Sequence, residues 1–128
     1  MNPGQIEGFV RETLGCTCPA KVFAQIEDDL LPATGSGPPI RRIAIGGRLL
    51  IYLIDIEKGP DADVQLAAWV RQGVAERDRL GMNRFRLVLA ANHPERIADA
   101  AAASFERLQA LNDKVHLHVV ANPYEIVD

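Results

Sequence analysis

Residues 40–56, which read IRRIAIGGRLLIYLIDI, decide the fold that the sequence predicts. Two runs rich in β-branched and aliphatic residues, Ile40–Ile45 and residues 48–56, flank Gly46 and Gly47, whose freedom at positive φ suits a tight hairpin turn. The pattern predicts two antiparallel strands. The second run is apolar at nearly every position, which is typical of a central strand covered by helices on both faces.

Downstream of this hairpin, helical and strand patterns alternate. Residues 61–80 carry apolar side chains at helical spacing and are followed by Gly81, a typical residue after a helix C-terminus. Residues 85–91 and 115–120 are predicted strands, and the alanine-rich residues 94–111 between them are a predicted helix. Because strand–helix–strand connections within one sheet run parallel and right-handed, the last three strands are expected to be parallel.

Upstream of the hairpin, residues 6–14 and 19–30 predict two short helices that meet at a corner after Gly15. The expected fold is therefore a single α/β domain over residues 1–128, a length typical of one domain. Its four-stranded mixed sheet combines an antiparallel hairpin with parallel strands. Helices pack on this sheet, and the order of elements is ααββαβαβ.

Composition excludes several classes of function. A formal net charge of -3 argues against a nucleic-acid-binding protein, which needs a basic surface to contact phosphates. The first residues lack the basic start and apolar run of a secretory signal, and no apolar stretch reaches the length of a membrane span. With only two cysteines and no disulfide framework, the sequence predicts a cytoplasmic protein without a membrane partner.

The most chemically suggestive motif is GCTCP at residues 15–19. Pro19 favours the first turn of the predicted second helix, which places Cys18 at or next to its N-cap. Unpaired backbone N–H groups and the helix dipole favour a thiolate there, and Cys16 is close enough to form a disulfide with Cys18. Cys18 and Cys16 are thus candidate catalytic residues of a thiol redox or thiol-reactive protein, and the sequence leaves open whether it is an enzyme.

Two alternatives remain open for the cysteines. They can be structural residues of a noncatalytic interaction domain or subunit, whose protein partner or second copy binds the sheet edge or a helix face. A weaker alternative is a metal protein, in which the two thiolates need further ligands because they do not complete a zinc site. The candidate ligands are His93, His116 and His118, of which the last two alternate on one predicted strand and should share a face.

Polar residues at the carboxyl ends of the predicted parallel strands are weaker candidates for ligand binding, because ligands of open α/β sheets bind at those ends. Capping of a turn or helix explains the residues around Pro94 without any ligand. Neither a phosphate-binding loop nor a dinucleotide fingerprint occurs, so no cofactor is expected, and no metal site is assigned. The candidates are Asp55, Asn92, His93 and Asn122.

A basic stretch follows the middle of the third predicted helix. Acidic residues are interleaved with its arginines, which is typical of a solvent-exposed helix end with ion pairs. The arginines of this stretch are Arg77, Arg79, Arg84 and Arg86, and the acidic residues are Glu76 and Asp78.

Residues 11–23, which read RETLGCTCPAKVF, resemble a segment of small prokaryotic proteins with no assigned activity, as does the region from residue 75 to residue 86. The double cysteine is the chemically specific part of this resemblance. The resemblance implies a standalone domain and carries over no catalytic residue.

Overall fold

A five-stranded mixed sheet lies at the centre of the fold, with its strands in the order of the chain. The computed structural model describes residues 2–15, 20–31, 38–58, 62–108 and 114–121. The strands are Ile26–Leu31 (β1), Ile40–Ile45 (β2), Leu49–Asp55 (β3), Arg84–Ala91 (β4) and Val115–Ala121 (β5). The helices are Pro3–Gly8 (α1), which continues as a π-helical segment over Phe9–Thr13, Ala62–Leu80 (α2) and Ala98–Glu106 (α3), with 3-10 turns at Ala20–Ala24, Ile56–Lys58 and Pro94–Arg96.

The predicted hairpin between β2 and β3 is confirmed. The two strands are antiparallel, and the N–H of Arg48 donates to the carbonyl of Ile45 at 3.0 Å to close the turn. Gly46 and Gly47 have φ values of 60° and 65°, which a side chain would disfavour at both positions. The glycine pair therefore sets the register of the hairpin.

Helices cover both faces of the sheet, and β3, β4 and β5 run parallel as expected. α2 and α3 pack on one face, where the core includes Leu50, Trp69 and Phe85. α1 and its π-helical continuation pack on the other face, where the core includes Phe9 and Ile51. β3 is buried along its whole length, so the prediction of a central strand is confirmed.

The predicted helix over residues 19–30 is wrong, and so is the four-stranded sheet. Ala20–Ala24 forms a short 3-10 turn, and Ile26–Leu31 forms β1, antiparallel to β2. Apolar spacing in this segment also fits a helix, but Asp28 and Asp29 form ion pairs with arginines of β2. These cross-strand contacts outweigh the local pattern. The described elements therefore follow the order αβββαβαβ.

The other predicted elements differ from the structure mainly at their ends. The predicted helix over residues 94–111 starts as the 3-10 turn Pro94–Arg96, and α3 covers Ala98–Glu106, while residues 109–111 lie outside the described residues. α2 closely matches its prediction, and Gly81 follows it with a φ of 68°. No helix among the described residues is both long and apolar enough to cross a membrane.

Candidate functional site

The predicted thiol pair lies outside the described residues. The described chain reaches Gly15 and resumes at Ala20, so Cys16 and Cys18 fall between these two points. Gly15 has a φ of 70°, as expected for a glycine that follows a helical segment. The reactive role of the cysteines remains a prediction, and the structure bears on it through the side chains that contact the chain just before Gly15.

An arginine of β4 contacts the chain next to the cysteine segment. The Nη1 atom of Arg86 donates to the backbone carbonyl of Leu14 at 3.1 Å. Leu14 itself is buried in the core between α1 and the sheet. A guanidinium group is therefore hydrogen-bonded to the backbone two residues before Cys16.

Arg86 lies beside two histidines of β5, and the three residues Arg86, His116 and His118 are called the Arg86 cluster below. Arg86 and His116 are neighbours in the parallel register of β4 and β5. His118 lies two residues further along β5, and therefore on the same face. Its Nε2 atom is 2.8 Å from Nη1 of Arg86. The prediction that His116 and His118 share a face is confirmed, while Arg86 was not predicted to join them.

The Arg86 cluster holds a positive charge that is partly shielded from water. Burial and the nearby charge of Arg84 lower the pKa of Arg86. Burial, and then the charges of Arg86 and His116, lower the pKa of His118 to about 4. The ring of His118 is therefore neutral at neutral pH, and its Nε2 atom accepts the hydrogen bond from Arg86. None of the carboxylates in the described part of the chain forms an ion pair with Arg86.

Two nitrogen atoms of the Arg86 cluster are buried without a hydrogen-bond partner among the described residues. They are Nε of Arg86 and Nε2 of His116. A buried polar group that lacks a partner costs about 1–3 kcal/mol, so native proteins contain few of them. These two atoms belong to residues that are paired on adjacent strands, so both unpartnered nitrogen atoms lie in one part of the sheet.

The same contacts disfavour a metal ion at this position. Nε2 of His118 already accepts a hydrogen bond from Arg86, and a cation bound there would face the guanidinium charge at short range. Across the described ranges, no group of three or more His, Cys, Asp or Glu side chains is arranged to hold a metal ion. A metal centre that uses Cys16, Cys18 and a histidine therefore stays a prediction that the described contacts do not favour.

Among the polar candidates at the strand ends, Asp55 serves as a local cap. Asp55 is buried, and its Oδ1 atom accepts a hydrogen bond from the N–H of Glu57 at 3.0 Å. Glu57 in turn accepts one from the N–H of Asn92 at 3.3 Å. His93 does not join these residues, because its side chain is 60% exposed and lies 3.6 Å from Glu95. Asn122 was the remaining candidate and lies outside the described residues.

The interpretation of Arg86 as part of a solvent-exposed helix end is wrong. Arg77 and Arg79 do lie in the last turn of α2, and Arg77 pairs with Asp78. Arg86, however, is the third residue of β4 and is partly buried under the α1 layer. The sequence contained one signal for this position. Arg86 interrupts a run that is otherwise apolar from Phe85 onward, and both faces of such a strand are expected to be covered by the protein.

A buried arginine, Arg42, lies on the opposite face of the sheet. Nε of Arg42 forms an ion pair with Glu76, and Nη1 of Arg42 lies 3.2 Å from Asp29. The hydroxyl of Tyr52 donates to the other carboxylate oxygen of Glu76 at 2.5 Å. Burial and the hydrogen bond to Glu76 raise the pKa of Tyr52 above its ordinary value. Burial opposes the charge of Arg42, but its contacts with Glu76 outweigh this and raise the pKa of Arg42.

Comparison with models of known protein families, with curated proteins and with solved structures gives no match. The argument for function therefore depends on the residues themselves. The buried Arg42 has carboxylate partners, whereas the described contacts of the partly buried Arg86 are a carbonyl and a neutral imidazole. The Arg86 cluster is the candidate site.

Proposed function

We propose that this is a thiol-reactive protein in which the pair Cys16 and Cys18 is the reactive group. The observation that carries the proposal is the hydrogen bond from Arg86 to the carbonyl of Leu14. Covalent geometry keeps the Cα atom of Cys16 within about 7 Å of that of Leu14. A cation that lacks a carboxylate partner within the described residues is thus available near the pair, and a nearby cation lowers a thiol pKa.

This support differs from the one that the sequence suggested. The sequence assigned thiolate stabilisation to the N-terminus of a helix after Pro19, but the described chain there is the five-residue 3-10 turn Ala20–Ala24. Such a short turn has few aligned peptide groups and a small dipole. Arg86 supplies a full charge instead, and along the chain its contact with Leu14 is two residues from Cys16 and four from Cys18.

The chemistry proposed is thiol–disulfide exchange. The thiolate of one cysteine attacks a sulfur of a substrate disulfide, which forms a mixed disulfide and releases the first substrate thiolate. The second cysteine then attacks the protein sulfur of that mixed disulfide and releases the second substrate thiolate. The substrate disulfide is reduced to two thiols, and the protein is oxidised to a Cys16–Cys18 disulfide.

The proposal is tested by the pH dependence of alkylation in Cys16→Ser and Cys18→Ser variants, each of which retains one thiol. We expect at least one thiol to react as a group with a pKa below about 8.5, the ordinary value for cysteine. Arg86→Gln should raise that pKa by about one unit, because the stabilising charge is lost.

Arg84→Gln is the matched control, since it removes the same charge from an exposed position on the same strand. Its effect on the thiol pKa should be much smaller than that of Arg86→Gln. Circular dichroism of each variant establishes that the fold is retained. If both thiols titrate at or above about 8.5 in the otherwise unchanged protein, the thiol-reactive function is wrong.

An interaction domain is the second candidate, and the outer edge of the sheet favours it. β5 forms an edge of the described sheet, and its sequence VHLHVVA contains no proline and no acidic or lysine residue. β1, at the other edge, carries Glu27, Asp28 and Asp29. Charged or proline residues protect an edge strand from pairing with another chain, and β5 lacks them. If a partner binds equally well to a double Cys16→Ser, Cys18→Ser variant, binding through this edge is separate from any thiol chemistry.

A further inference from the structure

We infer that the Arg86 cluster binds a small oxyanion, namely a carboxylate or a sulfate-like group. Its position between β4 and β5 follows from the contacts of the described residues and does not depend on the cysteines. Its role in substrate recognition rests on the proposed thiol function, because an anion held beside Leu14 would lie next to the segment that contains Cys16.

The first argument is charge. A buried or partly buried cation is disfavoured without a counter-charge, and the buried Arg42 contacts Glu76 and Asp29. Arg86 has no such partner in the part of the chain that the structure describes, and its charge is repelled by Arg84. A bound anion would provide the missing charge.

The second argument is the hydrogen-bonding capacity that remains. Arg86 uses Nη1 for the Leu14 carbonyl and for His118, which leaves its Nε–H donor buried without a partner. Nε2 of His116 is likewise buried and without a partner among the described residues, and it is a donor when it carries the ring proton. Arg86 and His116 are paired on adjacent strands, about 4.8 Å apart at the backbone, and the proposed oxyanion would accept from both of these nitrogen atoms.

The third argument is selectivity. A guanidinium group and an imidazole N–H are donors that match the oxygens of a carboxylate or sulfate, whereas a metal cation would be repelled by Arg86. The neutral ring of His118 accepts from Arg86 and holds the guanidinium against the sheet. The substrate class that follows for the thiol pair is a disulfide that bears a carboxylate close to its sulfur atoms.

Binding is tested by titrating the isotope-labelled protein with inorganic sulfate and, separately, with acetate, both at constant ionic strength. The Nε–H signal of Arg86 and the imidazole signals are followed by NMR. We expect saturable shifts with a Kd on the order of 1–10 mM. Arg86→Gln should weaken binding about tenfold or more, whereas Arg84→Gln should change it by less than about twofold. Equal weakening by the two variants, or shifts that never saturate, would overturn the inference.

Two further measurements distinguish failure of this inference from failure of the proposed function. The double Cys16→Ser, Cys18→Ser variant should bind sulfate as the unaltered protein does, so the site stands even if the thiols prove unreactive. The rate of exchange with oxidised glutathione, relative to that with the neutral bis(2-hydroxyethyl) disulfide, should fall about tenfold in Arg86→Gln. If Arg86→Gln leaves the ratio of the two exchange rates unchanged while the unaltered protein binds sulfate, the site binds a free oxyanion. Its role in substrate recognition is then wrong.

Discussion

Arg42 and Arg86 lie on opposite faces of the sheet, and their surroundings differ. On the α2 face, Arg42 contacts the carboxylates of Glu76 and Asp29, and its pKa is raised. On the α1 face, Arg86 contacts a carbonyl and a neutral imidazole, and its pKa is lowered. Burial alone therefore does not mark an arginine as functional. The absence of a counter-charge among the described residues distinguishes Arg86 from Arg42, and the proposed anion site is based on this difference.

The largest expected difference between the two faces is in stability. Arg42→Met should lower the free energy of unfolding by about 3 kcal/mol, because it leaves the nearly buried carboxylate of Glu76 without its charge partner. Arg86→Met should cost less than about 1 kcal/mol, since the loss of the hydrogen bonds to Leu14 and His118 is offset by removal of an unpaired charge. Urea denaturation of both variants provides the measurement. Equal losses would mean that Arg86 has a counter-charge after all.

The helices on the two faces also differ in the space beside their glycines, which predicts the next largest effect. A Cβ atom at Gly73 of α2 would lie 2.0 Å from the ring of Phe85, so Gly73→Ala should destabilise the protein by about 2 kcal/mol. Gly8 of α1 has nothing within 4 Å of such an atom. The matched Gly8→Ala change should stabilise the protein by about 0.5–1 kcal/mol through helix propensity. Thermal unfolding of both variants tests the contrast, and a Gly73→Ala protein as stable as the parent would contradict it.

The ionisation of Tyr52 tests the contacts around Arg42, because both side chains contact Glu76. Because burial and Glu76 raise its pKa above the ordinary value of 10.0, Tyr52 should remain un-ionised at a pH where free tyrosine forms phenolate. The chain has two tyrosines, so absorbance titration of a Tyr124→Phe variant isolates the signal of Tyr52. Glu76→Gln should lower the pKa of Tyr52. The Tyr52→Phe change should cost about 1 kcal/mol through loss of one hydrogen bond.

If Tyr52 forms phenolate at the same pH as free tyrosine, its contact with Glu76 is contradicted. The double variant Tyr52→Phe, Tyr124→Phe supplies the baseline for this titration, since it contains no tyrosine.

Local pattern was enough to predict most of the sheet and was insufficient for β1. The hairpin, α2 and the parallel strands follow from runs of residues that specify their own conformation, such as Gly46 and Gly47 between two apolar stretches. Residues 26–31 have no such signature. Their acidic side chains are explained by Arg41 and Arg42, which lie in another strand and become neighbours only once the sheet has formed.

The candidate site was predicted only in part for the same reason. The alternation of His116 and His118 predicts a shared face without any knowledge of the fold. Their position next to Arg86 depends on the register of β4 and β5, and the contact of Arg86 with Leu14 joins residues 72 positions apart in the chain. Neither relation is a local property of the sequence.

The smallest expected effect concerns the pH dependence of stability, and it tests whether His118 is neutral beside Arg86. Its pKa of about 4 lies below the value of 6.5 expected in the unfolded chain, so between these values the unfolded chain binds a proton that the folded protein excludes. The free energy of unfolding should therefore fall as the pH is lowered from 6.5 to about 4. His118→Gln, which still offers Arg86 an acceptor, should reduce that fall by about 1 kcal/mol after allowance for solvent screening.

His93→Gln is the control, because its side chain is 60% exposed and contacts only Glu95 among the described ion pairs. In Arg86→Gln, the pKa of His118 followed by NMR should rise, since the charge of Arg86 helps to lower it. A His118 ring that titrates equally with and without Arg86 would show that the two groups do not interact, and would remove the acceptor that holds the guanidinium in place.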